Sequence, residues 1–318
     1  MAIAKRPSHI TLPSKNEHWT TLLDYLVMKF PYISSDIWIS RLREGKMHWR
    51  DGETVNLESA FIVNKTLCYY REVENEPVIP FKHHILFQNE HLLVACKPHF
   101  LPVTPGGKYV NECLLERLRL EINNPDIVPL HRLDRETAGL VLFSLNQKSR
   151  GIYSQLFEQK KISKSYQALA NVKELNIPDS SCWDVENRLV KSSPKFLMEE
   201  SEGEVNARSK IRLIERDNDL GLFHLEPITG KTHQLRLHMM KIGAAILNDK
   251  FYPILLPEEI AAVTEPSTEP DKIEQLRNLA LYQAPLQLLA KRLEFIDPLT
   301  QESFSFESNR QLSEWKYD

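Results

Sequence analysis

The stretch from His131 to Ser144, HRLDRETAGLVLFS, constrains this chain more than any other. It sets one carboxylate, Asp134, between Arg132 and Arg135, then runs into the apolar residues Leu140-Val141-Leu142-Phe143. A short apolar run of this kind behind a glycine reads as a buried strand. The polar residues before it read as a loop at the strand's mouth, where a rigid support commonly carries functional side chains. Neighbouring positive charge favours the ionised acid. A surface Arg–Asp pair fits the same pattern about as well, so the rest of the chain has to decide.

Its length of 318 residues suits one large domain and one small one. Apolar content of 42% and charged content of 26% fit a globular chain. No apolar run approaches the roughly 20 residues of a membrane helix, and residues 1–15 lack an apolar signal core. Cys68, Cys96, Cys113 and Cys182 form no Cys-x-x-Cys pair. They read as reduced thiols in a cytoplasmic protein, with no metal site. The net charge of −3 is unevenly spread. Residues 256–318 hold 12 acidic against 6 basic residues, whereas His131–Tyr166 holds seven basic against three acidic. That local positive stretch permits phosphate contacts, although a solvated face has the same composition.

Leu22, Leu26 and Phe30 recur every four residues and predict a helix over 18–30. Ser34-Ser35-Asp36 then offers N-caps for a helix through Arg43, with Gly45 past its end. Asp51-Gly52 predicts a hairpin turn. These elements make a small module over residues 1–75. The stretch 71–80 reads as a linker, and residues 76–318 as the main domain.

Beyond Ile85 the pattern is α+β. Leu92–Ala95, Tyr166–Val172, Ala207–Ile214 and Gly221–Leu225 read as strands. Helices are expected over 112–120 and 147–160, the second with Ile152, Leu156 and Phe157 along one side. Residues 257–271 read as a surface loop, and the final segment as a hairpin around Asp297-Pro298.

Three further segments carry more polar chemistry than packing requires. They are Lys97-Pro98 with the loop to Gly106, Lys164-Ser165-Tyr166-Gln167-Ala168, and Gly230-Lys231-Thr232-His233-Gln234-Leu235-Arg236-Leu237-His238. Taken singly, Tyr166 suits a core tyrosine with a satisfied hydroxyl, and His233 and His238 suit structural histidines better than metal ligands.

Together, HRLDRETAGL, KSYQAL and GKTHQLRLHM resemble, in order and spacing, the three motifs of the RluA-type pseudouridine synthases. The resemblance covers roughly residues 82–310 and includes CKPHFLPVTPGG and GAAILNDKFY. Residues 20–70 resemble, more loosely, the alpha-L RNA-binding module. Ala138 stands where that family commonly has serine, and Lys231 where it has arginine. His48-Trp49-Arg50-Asp51-Gly52 replaces the module's usual turn.

The resemblance implies an α+β fold, a mixed but mainly antiparallel sheet flanked by helices. It also implies an isomerase that works on RNA without cofactor or metal. Asp134 would be the acid, acting as nucleophile or as the base of a glycal route, and Tyr166 would take the proton from carbon 5. Arg236 would pair with Asp134, and Arg132 would stack in the place of the flipped base. Leu235 would wall the uracil pocket, with His131 and Thr137 also on the substrate side. The expected partner is ribosomal or transfer RNA, and a monomer is the default. An inactive RNA-binding or chaperone protein of the same fold is the competing expectation. A glycosidase is a poorer one, because it would want a second acid.

Overall fold

The structure is a computed structural model that describes residues 1–16, 18–31, 33–175, 178–194, 196–253 and 282–317. The chain divides into two compact units, residues 1–78 with 105–112, and residues 79–104 with 113–318.

In the first unit, β1 (Ala2–Ile3) pairs with β5 (Glu72–Val73), and β2 (Ser8–Thr11), β4 (Thr66–Tyr69) and β3 (Met47–Trp49) form a sheet in that order. Helix α1 (Leu22–Lys29) starts later than its periodicity suggests, because Thr21 and Asp24 form a reciprocal capping box. Helix α2 (Ser35–Arg43) has Ser34 at its N-cap position, and Gly45 beyond it takes φ +66°. Asp51-Gly52 does turn the chain, with Gly52 at φ +93° and Trp49 N–H donating to Glu53 at 2.7 Å. The apolar faces close on Leu22, Leu26, Trp38, Met47 and Leu67, all buried. The stretch expected as a linker is structured in part. Glu72 and Val73 pair with β1, and Glu76 Oε1 accepts the backbone N–H groups of Val110, Asn111 and Glu112 at 2.6–2.7 Å. Its acidity reflects a part-buried acceptor as well as solvation.

The second unit is built on an eleven-stranded, mainly antiparallel sheet. Its strands are β6 (His84–Gln88), β7 (Leu92–Lys97), β8 (Val128–Pro129), β9 (Ala138–Ser144), β10 (Ser163–Asn171), β11 (Cys182–Lys191), β12 (Met198–Ser201), β13 (Ala207–Asp217), β14 (Leu220–Pro227), β15 (Leu288–Ile296) and β16 (Ser303–Glu307). The order is β12-β11-β13-β14-β10-β15-β9-β7-β6, with β16 on β15 and β8 on β9. Helices α3 (Leu114–Glu121), α4 (Arg150–Glu158) and α5 (Gln234–Lys241) accompany it. This is the α+β, mainly antiparallel class expected.

Every residue of β7 and β9 is buried, which explains their unbroken apolar runs. By contrast β13 alternates buried and exposed along its first seven residues, as a strand with one wet face does. The only parallel pairing among the described strands joins β15 to β9 at Leu289–Ala138 and Ala290–Gly139. Gly139 takes φ +115° there, and a Cβ on it would lie 2.2 Å from the Ala290 carbonyl oxygen. A side chain at 139 would therefore push apart the two strands below Asp134.

In α4 the inward stripe is Tyr153 and Leu156, while Ile152 is exposed. The expected face was rotated because Tyr153 counts as apolar once its hydroxyl is satisfied. That hydroxyl donates to Asp297 at 2.9 Å, inside the turn of the terminal β15–β16 hairpin. Helix α5 buries Leu235 and Met239 in a cluster with Ala168, Ile211, Phe223 and Leu225 from β10, β13 and β14. Truncating either side chain to alanine would cost about 2–5 kcal/mol. The loop expected over 257–271 lies outside the described residues.

Candidate active site

The acid lies in the loop between β8 and β9. Its backbone carbonyl accepts the Thr137 N–H at 3.2 Å, which tightens the loop into a turn just before β9. The loop is held from below. Lys97, at the end of β7, is fully buried and donates to the carbonyls of Pro98, Leu101 and Arg135 at 3.0, 2.7 and 3.0 Å. Burial pushes Lys97 down to about 7, and Glu136 and Asp134 pull it back up. Its three acceptors match the three N–H donors of the ammonium, the form it keeps below that value. His99 Nδ1–H donates to the Glu136 carbonyl at 2.6 Å. Burial opposes the charge of Glu136, but Arg135, Lys250 and Arg236 outweigh it and hold its carboxyl below the usual range. With the backbone fixed by these groups, the Asp134 side chain stays 24% exposed, and Arg132 is exposed.

The other wall is α5. Gln234 anchors its first turn, accepting from Lys231 N–H and Thr229 Oγ1 and donating to Arg208 O and Ser209 Oγ at 2.7–3.0 Å. His233, at the N-cap position, takes the left-handed φ of +53°. That conformation is costly for a residue with a side chain and marks functional segments. Arg236, only 1% exposed in its side chain, presents Nη1 3.9 Å from Asp134 Oδ2. The expected Asp134–Arg236 pairing is thus present, but it is the longer of two. Arg236 Nε and Nη2 clasp Asp249 at 2.7 and 2.5 Å, and its guanidinium lies over the rings of Phe251 and Tyr252. Burial works against the arginine's charge; Asp249 first and Asp134 second override it. Nη1 remains buried with no hydrogen-bond acceptor among the described residues.

Tyr166 is the fourth residue of β10, beside a bulge at Ser165, and packs against the cluster that contains Leu235. Burial, reinforced by the charge of Asp134, raises its phenol well above the ordinary value, so it is protonated at neutral pH. Leu235 is buried in that same wall. Thr137 is 3% exposed, which leaves its side chain little surface for substrate. His131 has a different job from the substrate contact expected of it. Its Nε2 accepts the Leu142 N–H at 3.0 Å, its ring stacks on Phe157, and burial pushes it down to about 3. It is a neutral strut for the loop.

Lys97 stands in one of the polar segments noted above, and Asp249 and Tyr252 in GAAILNDKFY, but the sequence assigns none of the three a role, and His233 suits a structural histidine there. Among the described residues, no three His, Cys, Asp or Glu side chains cluster as metal ligands would.

Residues 91–241 match the family model for RNA pseudouridylate synthase. The dual-specificity RNA pseudouridine synthase RluA of Pasteurella multocida is 30% identical over 70% of this chain and 90% of that protein. The tRNA pseudouridine(31) synthase of Saccharomyces cerevisiae is 26% identical over 77% of this chain and 70% of that one. Among solved structures, human RNA pseudouridylate synthase domain containing 1 superposes with a TM-score of 0.52 at 18% identity, covering 74% of this chain and 86% of that chain, a likeness of fold. The chain belongs to the RluA-type family of RNA pseudouridine synthases, isomerases that convert uridine to pseudouridine.

Proposed function

We propose that this enzyme isomerises uridines in ribosomal or transfer RNA, with Asp134 as the reacting acid. The observation that carries the reading is a partly exposed carboxylate flanked by buried nitrogens, Arg236 Nη1 and His233 Nε2, each 3.9 Å from Oδ2. Asp134 attacks the sugar or removes the proton that starts elimination to a glycal, and the uracil departs, turns and rejoins through carbon 5. The isomerisation moves one proton from carbon 5 to the nitrogen freed by glycosidic cleavage. Tyr166, protonated at rest, suits a relay that gives one proton and takes the other. The target base leaves the RNA stack at a cost of a few kcal/mol, and exposed Arg132 takes its place by stacking its guanidinium plane. Leu235 walls the base. The enzyme acts in the cytoplasm as a monomer without cofactor.

Among the described residues no helix is long and apolar enough to cross a membrane. The test is tritium release from ribosomal and transfer RNA transcripts labelled at carbon 5 of uracil. Release from one class identifies the substrate. Binding of both without release from either favours a non-catalytic RNA-binding protein and contradicts the proposal.

A further inference from the structure

His233 and Tyr252 lie behind the acid, and neither has a part in the chemistry above. His233 Nδ1 is 2.9 Å from Tyr252 Oη, and His233 Nε2 is 3.9 Å from Asp134 Oδ2. Tyr252 Oη has one proton and three neighbours. The Met198 N–H donates to it at 2.9 Å, so its proton goes either to the Met198 carbonyl at 3.1 Å or to His233 Nδ1. If the proton goes to Met198, the imidazole must carry its hydrogen on Nδ1 and turn a bare Nε2 lone pair toward the Asp134 carboxylate. If it goes to His233, the imidazole carries its hydrogen on Nε2, facing that negative charge. The charged groups acting on His233 are Asp134, Arg236, Asp249 and Arg132, and Asp134 acts most strongly. The second arrangement is therefore favoured. Burial keeps the ring neutral, and the left-handed backbone at His233 is the cost of aiming it there.

We infer that His233 and Tyr252 form a positioning relay for Asp134, in which the Tyr252 hydroxyl donates to His233 Nδ1 and fixes a neutral imidazole with its Nε2–H aimed at Asp134 Oδ2. At 3.9 Å this N–H is an oriented dipole. The partner on one imidazole nitrogen sets which way the other points. Because Arg236 Nη1 addresses the same oxygen, Oδ1 is left the freer of the two to meet substrate. The catalytic consequence rests on Asp134 being the reacting acid; the tautomer does not.

Nitrogen-15 spectra of the histidine side chains test the relay, with His233→Asn assigning the signal by its loss. The expected result is the Nε2–H tautomer in the wild type and a mixture in Tyr252→Phe, which keeps the ring under Arg236. Tyr252→Phe should also lower kcat about 10-fold, the usual scale for losing an orienting partner, with KM nearly unchanged. An Nδ1–H tautomer in the wild type overturns the inference, as does Tyr252→Phe with unaltered spectrum and kcat. If Tyr252→Phe does not fold, the wild-type tautomer alone decides. Full activity in Asp134→Asn would sink the functional reading while leaving the spectra to judge the relay.

Discussion

The two walls of the site are built in opposite ways. Asp134 sits on a loop whose backbone is held by Lys97, His99 and its own turn to Thr137, so that the side chain stays partly in water. Arg236 sits on a helix, with its side chain clasped by Asp249 and covered by Phe251 and Tyr252. The acid has to meet a substrate; the arginine has to stay put. Holding an acid by its backbone leaves its oxygens free to react, whereas holding an arginine by its side chain fixes a positive charge in space.

Removing the clasp should have the largest effect, the acid itself apart. Asp249→Ala strands a buried guanidinium, and denaturant unfolding should show a loss of about 3–5 kcal/mol, together with reduced kcat. A loss below about 1 kcal/mol would mean that the helix wall is no more rigid than the loop.

On the loop side the effects are smaller and depend on pH. Lys97→Met leaves three carbonyls without their donor and should cost about 1–3 kcal/mol. The lysine's lowered value also has a sign. Between pH 7 and its ordinary value of 10.5 the unfolded chain holds a proton that the folded one lacks, so stability rises with pH across that window. Lys97→Met should remove that rise, and an unchanged slope would contradict the burial of its charge.

His131, lowered to about 3, works in the acid range. The unfolded imidazole takes up a proton below about 6.5 and the folded one does not, so stability falls as pH drops from there toward 3, by at most about 1.4 kcal/mol per pH unit from this residue. His131→Asn should flatten the fall. An equally steep acid limb in the variant would assign the loss to His99 or His238, both lowered to about 4.

The smallest effect on stability belongs to Arg132. Exposed as it is, Arg132→Ala should leave unfolding within about 0.5 kcal/mol while lowering kcat/KM about 10-fold through lost stacking. A large loss of stability would show the exposed end of the loop to be part of its frame.

These contrasts also explain what could be read from the sequence. Asp134, Tyr166 and Arg236 stand in short local motifs, and the buried strands β7 and β9 announce themselves as apolar runs. What stayed hidden depends on distant contacts. Asp249 gains its meaning only when α5 delivers Arg236 against it, and Glu76 only when residues 110–112 fold over its carboxylate. Ile152 has the spacing of a core residue, but Tyr153, with its hydroxyl bonded to Asp297, takes the inward position instead. The family resemblance sets His131 on the substrate side, whereas its ring accepts the Leu142 N–H of β9.

The most direct measurement is the rate of tritium release from carbon-5-labelled RNA by Asp134→Asn beside the wild type, with both proteins shown to be folded. Release by Asp134→Asn should fall on the order of 1,000-fold or more with unfolding little changed. Release within about twofold of the wild type would contradict this and remove Asp134 from the chemistry.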